Sequence, residues 1–506
     1  MKQLHRIARP LIVVGILLLL GAVPAPAEDV TASATTTNQS ISLGSTTIDG
    51  EQWQRLAFRR EMPFGKLAIA ADIEFFVNSE GGLSSRGWQF GNFNQVLSTL
   101  YRKIYYIRYG QPRDPIYVRL MGLDDVTLGY GFLMSHYRNT LDYPGVKNLG
   151  IHFELNPAGG IAVQGVLNNL LDITNGGPVV GGRVAKGLGP FEVGASLVYD
   201  VDQYGGLPDN NNDGLPDALE PRIGPDGVNY SQIRNPADQN ALNAILVANG
   251  QPPIDWAKYA RRDSLYREGN RETDSYGMVG ADVAMKLIDK PSLALITYAQ
   301  MGISLDDNDM NGRATGWGFG APGLMAVVGP VRARIEYRHL RDEFQPEYFN
   351  SRYDHNRATV SADSGVITLK DESLNALAGQ TLNGVFGDAA VRVPLLGEAS
   401  AQYQYLHGPT NQQRLSALAG VDRGLLQMVP KLSRIEAFYT KDNIGLYGDG
   451  FFQKTVDMSY GYRVGFTLAP GVEMIWSTRW LFRPVGSDPL VVEPQRQITF
   501  ATVFNF

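Results

Sequence analysis

Along most of this chain, apolar and polar residues trade places at every second position, the period of a strand with one greasy face and one wetter face. Val331, Ala333, Ile335 and Tyr337 form one row of such a segment, and Arg332, Arg334, Glu336 and Arg338 form the other. Between 65 and 78, Leu67, Ile69, Ala71, Ile73 and Phe75 lie on one face, with Asp72 and Glu74 opposite. The same period marks 101–109, 114–123, 148–156, 161–169, 191–201, 276–288, 293–305, 317–328, 382–394, 398–407, 415–428, 434–441, 456–468 and 472–483. It closes the chain in 496–506, where Ile498, Phe500, Phe504 and Phe506 recur and only Thr502 interrupts the row. These segments predict an all-β chain of about 16 strands, with 14 and 18 also open.

Turn residues separate the segments. Asn156–Gly160, Gly187–Pro190, Asp289–Pro291, Gly329-Pro330 and Ala469–Gly471 read as compact Gly/Pro turns. Two connections are long, about 200–275 and 343–381. The first is too long for an ordinary connection, which points to a function or to partial disorder. Residues 30–47 are rich in Thr and Ser without periodicity, and predict a mobile tail.

Both termini bear on where the strands end up. Lys2, His5, Arg6 and Arg9 precede an apolar core at 11–23, and Ala25-Pro26-Ala27 supplies small residues for cleavage. Residues 1–27 therefore read as a secretory signal peptide. The terminal phenylalanine of an alternating last strand resembles the C-terminal signature of Gram-negative outer-membrane β-barrels. That resemblance implies recognition by the barrel-assembly machinery and residence in outer-membrane lipid. The expected organisation is a signal peptide (1–27), a flexible segment (28–60) and a transmembrane antiparallel barrel (61–506) with long extracellular loops. A water-soluble sheet would show the same alternation, so the termini carry this choice.

Composition narrows the rest. The 506 residues hold no cysteine, which excludes disulfides, thiolate metal sites and lipoprotein acylation. After residue 27 no apolar run is long enough for a membrane helix, for which roughly 20 residues are needed. The 56 glycines and 24 tyrosines suit many tight turns and interfacial aromatic belts. Tyr105, Tyr109, Trp317, Tyr460, Tyr462, Trp476, Trp480 and Phe482 are placed for such belts. A net charge of -6 argues against nucleic acid as a partner.

The sharpest local motif lies in the loop 203–274. Asp209, Asn211, Asp213, Asp217 and Glu220, with the backbone oxygen of Leu215, occupy the oxygen-ligand positions of D-x-[DN]-x-[DN]-G-x5-E. Gly214 permits the sharp turn between ligands. The twelve residues 209–220 resemble EF-hand loops and, more closely, the Ca²⁺ loops of thrombospondin type 3 repeats. The resemblance implies a structural Ca²⁺ that orders the loop, although Gly and Pro at 205–208 preclude a full EF-hand. A solvated Asx-rich turn is the competing reading. Asp307–Gly312 starts a similar pattern and then fails, because Thr315 and Gly318 occupy acidic positions.

No catalytic motif stands out. Gly318, Gly320 and Gly323 fit G-x-G-x-x-G only formally, inside a strand-like segment. His136, His152, His339, His355 and His407 lack metal-binding spacing and read as interfacial or lumenal polar residues. The chain is not expected to be an enzyme. If the apolar rows face lipid, Asp72, Glu74, Arg108, Arg119, Lys286, Arg332, Arg334, Glu336, Arg338, Arg392, Arg434, Glu436 and Arg479 point inward. Lipid-facing charges near mid-bilayer cost about 2–4 kcal/mol each, so such rows belong inside. Their arginine excess suggests a porin-like channel for the passive diffusion of small polar or anionic solutes. The alternative is a non-conducting barrel, its interior filled by ion pairs, acting as a surface-binding or structural protein. Oligomeric state stays open, a homo-oligomer included.

Overall fold

The computed structural model describes residues 39–48, 51–77, 88, 99, 103–112, 114–140, 147–157, 159–175, 177–207, 236–250, 253, 266–267, 270–271, 274–290, 292–306, 315–360, 367–409, 411–426, 428–445, 448–469, 472–485 and 488–505. The expected signal peptide, both calcium-type segments (209–220 and 307–312) and Phe506 lie outside the described residues.

Among the described residues, one antiparallel sheet of 20 strands dominates. Its members are β1 (Gln39–Ile48), β2 (Glu51–Phe64), β3 (Leu67–Val77), β4 (Ile104–Tyr109), β5 (Ile116–Met121), β6 (Gly150–Leu155) and β7 (Ile161–Leu167). Next come β8 (Val179–Leu188), β9 (Phe191–Asp200), β10 (Tyr276–Lys290), β11 (Leu293–Asp306), β12 (Trp317–Val328), β13 (Val331–Arg341) and β14 (Thr381–Val393). The last are β15 (Gly397–His407), β16 (Gln412–Val421), β17 (Leu432–Ile444), β18 (Met458–Ala469), β19 (Val472–Val485) and β20 (Asp488–Asn505). Each pairs with the next, and β20 returns to β1 from Ser40↔Asn505 to Ser45↔Phe500, so the sheet closes on itself. Closure satisfies the backbone groups that open edges would leave unpaired.

The two rims differ. At one rim the chain reverses in tight turns, and Gly189 and Gly329 adopt the positive φ that such turns need. The strand ends at the other rim bound the longer connections 78–103, 122–149, 201–275, 342–380 and 445–457. The helix Pro236–Ala248 and the ribbon pairing Ala358–Val360 with Ile367–Leu369 belong to these connections. No helix among the described residues is long and apolar enough to cross a membrane.

Residues directly opposite in an antiparallel pair share a face, and this fixes which row points inward. Ile335 and its register partners Leu324 and Gly387 lie outside, where Ile335 is 55% exposed. Glu336 and Arg338, on the opposite row, are fully buried. The same inversion recurs in β3, with Asp72 and Glu74 buried, and in β10, with Asp282 buried and Val279 and Val283 exposed. The sheet is therefore apolar outside and charged inside, the reverse of a water-soluble sheet.

The strand count differs from the expected sixteen. All seventeen alternating segments named from the sequence contain strands, and β1, β2 and β8 are additional. β1 overlaps the expected mobile stretch 30–47, and β1 with β2 occupies most of the segment 28–60 expected to be flexible. Ser and Thr give β1 weak alternation, yet its pairing with β2 and β20 satisfies its backbone on both sides. In β2, Arg59, Arg60 and Glu61 interrupt the pattern, and in β8 the glycines do so. The segment 415–428 ends as strand at Val421 and turns into the short helix Arg423–Leu426. Gly318, Gly320 and Gly323 lie in β12, where the register shifts between Gly320 and Gly323, and β13 rather than a helix follows.

Candidate functional site

Two connections from the long-loop rim fold into the barrel. In 122–149, Leu123, Val126, Leu128, Phe132, Leu133, Met134 and Tyr137 are buried. In 342–380, Phe344, Tyr348, Phe349, Tyr353, Leu374 and Leu377 join the same cluster. The two segments run side by side: Glu347 N donates to Phe132 O at 2.7 Å, and Ser135 N donates to Phe349 O at 3.0 Å. Tyr130 stacks on Tyr298 of the inner wall at 4.5 Å, and its carbonyl accepts from Arg334. Apolar burial brings the loops in, and the wall must then satisfy their polar groups.

Glu347 is the hub of that satisfaction. Arg338 of β13 meets its carboxylate at 3.1 Å and Arg414 of β16 at 2.7 Å, while Gln402 of β15 donates at 2.9 Å. Arg338 also pairs with Glu336 at 2.6 Å and lies over the Phe386 ring at 3.7 Å. Arg414 continues to Asp442 of β17 at 2.8 Å, and Asp442 in turn receives Arg352 of the loop at 2.5 Å. Burial works against ionised Glu347, but Arg414 and Arg338 hold its carboxyl below the ordinary glutamate value of 4.5.

A second knot joins both loops to the end of β9. Tyr137 donates to Asp354 at 2.8 Å, and Tyr353 donates to Asp200 at 2.8 Å. Arg357 sits among Asp200 at 3.4 Å, Asp172 at 3.7 Å and the carbonyl of Gly177 at 3.1 Å. Burial pushes the Asp354 carboxyl up to about 7 from the ordinary 3.8, against the pull of Arg357.

The residues expected to line a pore face inward but divide into two groups. Arg334 and Arg338 are locked in ion pairs beneath the loops, Arg334 with Asp388, and Glu336 is locked with them. Arg108 pairs with Glu61 at 3.2 Å, and Arg119 pairs with Asp124. Asp72 and Glu74 share Lys147 of the loop at 3.2 and 2.5 Å. Nearer the short-turn rim, Arg434 meets Glu436 at 2.8 Å, and Arg463 meets the same carboxylate at 3.2 Å. Arg332, within 4.0 Å of Asp388, has a side chain 46% exposed, and Arg392 is exposed. Lys286 is exposed beside Asp289 at 2.9 Å, and Arg479 lies over the Phe438 ring at 5.3 Å.

Sequence reasoning missed Glu347, Arg352, Asp354, Arg357, Arg414 and Asp442. A signal existed for the loop residues, because Phe344, Tyr348, Phe349 and Tyr353 crowd a connection that would stay polar if it were solvated. The connection 122–149 was also legible as long, since the segments 114–123 and 148–156 leave residues 124–147 between them. His136 contacts Asp125 at 3.0 Å, His339 contacts Asn383 at 2.7 Å and His407 contacts Asn411 at 2.8 Å. On the outer wall, Tyr460 stacks on Trp480 at 4.9 Å, with Tyr462 at 5.8 Å from Trp480. The Tyr105 hydroxyl reaches Asp124, the partner of Arg119, at 3.3 Å.

No known protein family matches the chain, and no curated protein matches it. Solved outer-membrane proteins resemble it at a distance. The siderophore receptor PirA from Pseudomonas aeruginosa is 9% identical, with 92% of this chain and 80% of that one covered and a TM-score of 0.34. Wzi of Escherichia coli, a carbohydrate-binding β-barrel involved in capsule assembly, is 9% identical over 94% and 86%, with a TM-score of 0.33. OccK11 (OpdR) of Pseudomonas aeruginosa is 8% identical over 92% and 94%, with a TM-score of 0.32. Likenesses this distant decide nothing about function.

Proposed function

We propose that this chain is an outer-membrane β-barrel that passes small polar solutes by diffusion through a bore narrowed by two inward-folded loops. The observation that carries the reading is the inversion of faces around a closed sheet: Ile335 exposed outside, Glu336 and Arg338 buried inside. Such a wall is stable only where lipid replaces water on the outside. The tight-turn rim is assigned to the periplasm and the long-loop rim to the exterior. Exposed Arg332, Arg392 and Arg463 make the periplasmic half of the bore wet and charged. Because Arg334, Arg338 and Arg434 are matched by carboxylates, the anion preference suggested by arginine counting should be weak. The segment 209–220 retains its reading as a structural Ca²⁺ loop on the external face.

The competing reading is a non-conducting barrel that binds a partner at its surface. The Glu347 network favours it, since the charges that hold the loops also occupy the bore. Single-channel recording of the mature chain in planar bilayers, with and without Ca²⁺, separates the two. Stable conductance with a small reversal potential under a salt gradient supports the channel. A heat-modifiable barrel that never conducts refutes it.

A further inference from the structure

Strand β17 carries a lysine on its outer face. The inward row is Arg434, Glu436, Phe438 and Thr440, in register with Gly465, Arg463, Gly461 and Ser459 of β18. Ile435, Ala437, Tyr439 and Lys441 form the opposite row, which faces out. An exposed lysine there would be costly, yet Lys441 is fully buried. What buries it is the connection 445–457, which turns outward over the wall, whereas 122–149 and 342–380 turn inward.

Lys441 organises that turn. Its Nζ donates to Gly450 O at 2.6 Å and Gln453 O at 2.5 Å, and it pairs with Asp449 at 2.8 Å. The Tyr439 hydroxyl donates to Phe451 O. Phe451 packs against Tyr403, another outward residue, and Phe452 packs against Tyr439, each at 6.2 Å. Lys454 lies over Phe482 at 5.9 Å, and Phe482 adjoins Tyr460 at 6.1 Å in the outer aromatic cluster. The turn is therefore fixed, and still it leaves Phe452 83% exposed beside an exposed Lys454.

Resting on the membrane-barrel reading, we propose that residues 448–457 form a collar that docks on the outer-leaflet lipid surface. Phe452 enters the boundary between headgroups and acyl chains, and Lys454 faces headgroup phosphate. Two observations choose lipid as the occupant. The turn continues the outward apolar row Ile435, Ala437 and Tyr439, and an aromatic ring beside a cation is the chemistry that settles at a membrane interface.

The chain has no cysteine, so a single nitroxide on Phe452→Cys reports that position alone. A second label on Ile335→Cys marks the middle of the outer wall. The full mature chain is refolded into phosphatidylcholine–phosphatidylglycerol bilayers, and label collisions with oxygen and with a nickel chelate are compared. The proposal expects oxygen collisions to exceed nickel collisions several-fold at 335, and an interfacial ratio at 452 well above that of free label in water. Adding Lys441→Met should release the turn and return the 452 label to the aqueous ratio. A 452 label that collides mainly with nickel, or that is shielded from both reagents by a second copy, overturns the collar while 335 remains lipid-exposed. If 335 itself fails to meet oxygen, the membrane reading falls and the collar falls with it.

Discussion

The connection 342–380 enters the bore and the connection 445–457 lies over the outer wall, yet both are held by a buried charge. Inside, the loop supplies the acid: Glu347 is gripped by Arg338, Gln402 and Arg414 from three strands. Outside, the wall supplies the cation: Lys441 gathers two loop carbonyls and Asp449. The inner attachment is spread over many strands and includes the Asp442–Arg352 pair, whereas the outer one centres on Lys441 with the Tyr439 hydroxyl beside it. Loop direction follows from which partner can neutralise the wall. An inward charge finds loop carboxylates inside the barrel, and an outward charge must be covered from outside.

The harshest break should come from the inner hub. Glu347→Gln leaves Arg338 and Arg414 buried with less counter-charge, a change expected to cost about 3–5 kcal/mol. The cost should appear as a lower midpoint of heat modifiability and as larger, noisier single-channel current. If current and stability both match the parent, the loop is not held by this carboxylate.

Lys441→Met tests the outer hub. It removes the cation beside Asp449 and the donor to two carbonyls, and should destabilise the turn by about 3 kcal/mol. Limited proteolysis should then cut within 448–457 while the bore conductance stays unchanged. Conductance changes of the size seen for Glu347→Gln would erase the contrast between the two attachments.

Acidity should act on the inner attachment. The Asp354 carboxyl, raised to about 7 in the docked state, ionises near 3.8 once released. Its favourable contribution to docking is complete below about pH 4 and is lost as pH rises through 7. Glu347 works in the opposite sense, because its depressed value removes stability as pH falls below the ordinary 4.5. Current noise should therefore grow as pH rises from about 4 to 7, and Asp354→Asn should flatten that rise. A pH profile identical to the parent's would remove Asp354 from the account.

The gentlest change is Phe452→Ala. The ring is 83% exposed, so stability in detergent should shift by no more than about 0.5 kcal/mol. A larger loss would mean that the ring is part of the protein core.

The alternation in sequence determined the strands and the partition of residues between two faces. β13 shows this most clearly, because the period of two by itself puts Ile335 and Glu336 on opposite faces. The tight turns at Gly187–Pro190 and Gly329-Pro330 were equally legible, because backbone geometry there is local. Three strands escaped because β1, β2 and β8 have weak periodicity and are held by neighbours rather than by their own pattern. Alternation alone is symmetric with respect to inside and outside, so placing the charged rows inside rested on the termini and on the cost of charge in lipid. The ion-pair partners were hidden for a related reason. Glu347 and Arg414 lie 67 residues apart and meet only when a loop folds into a closed sheet. Period-two patterning is a property of neighbours along the chain, whereas neutralising a buried charge depends on groups that only tertiary closure brings within reach.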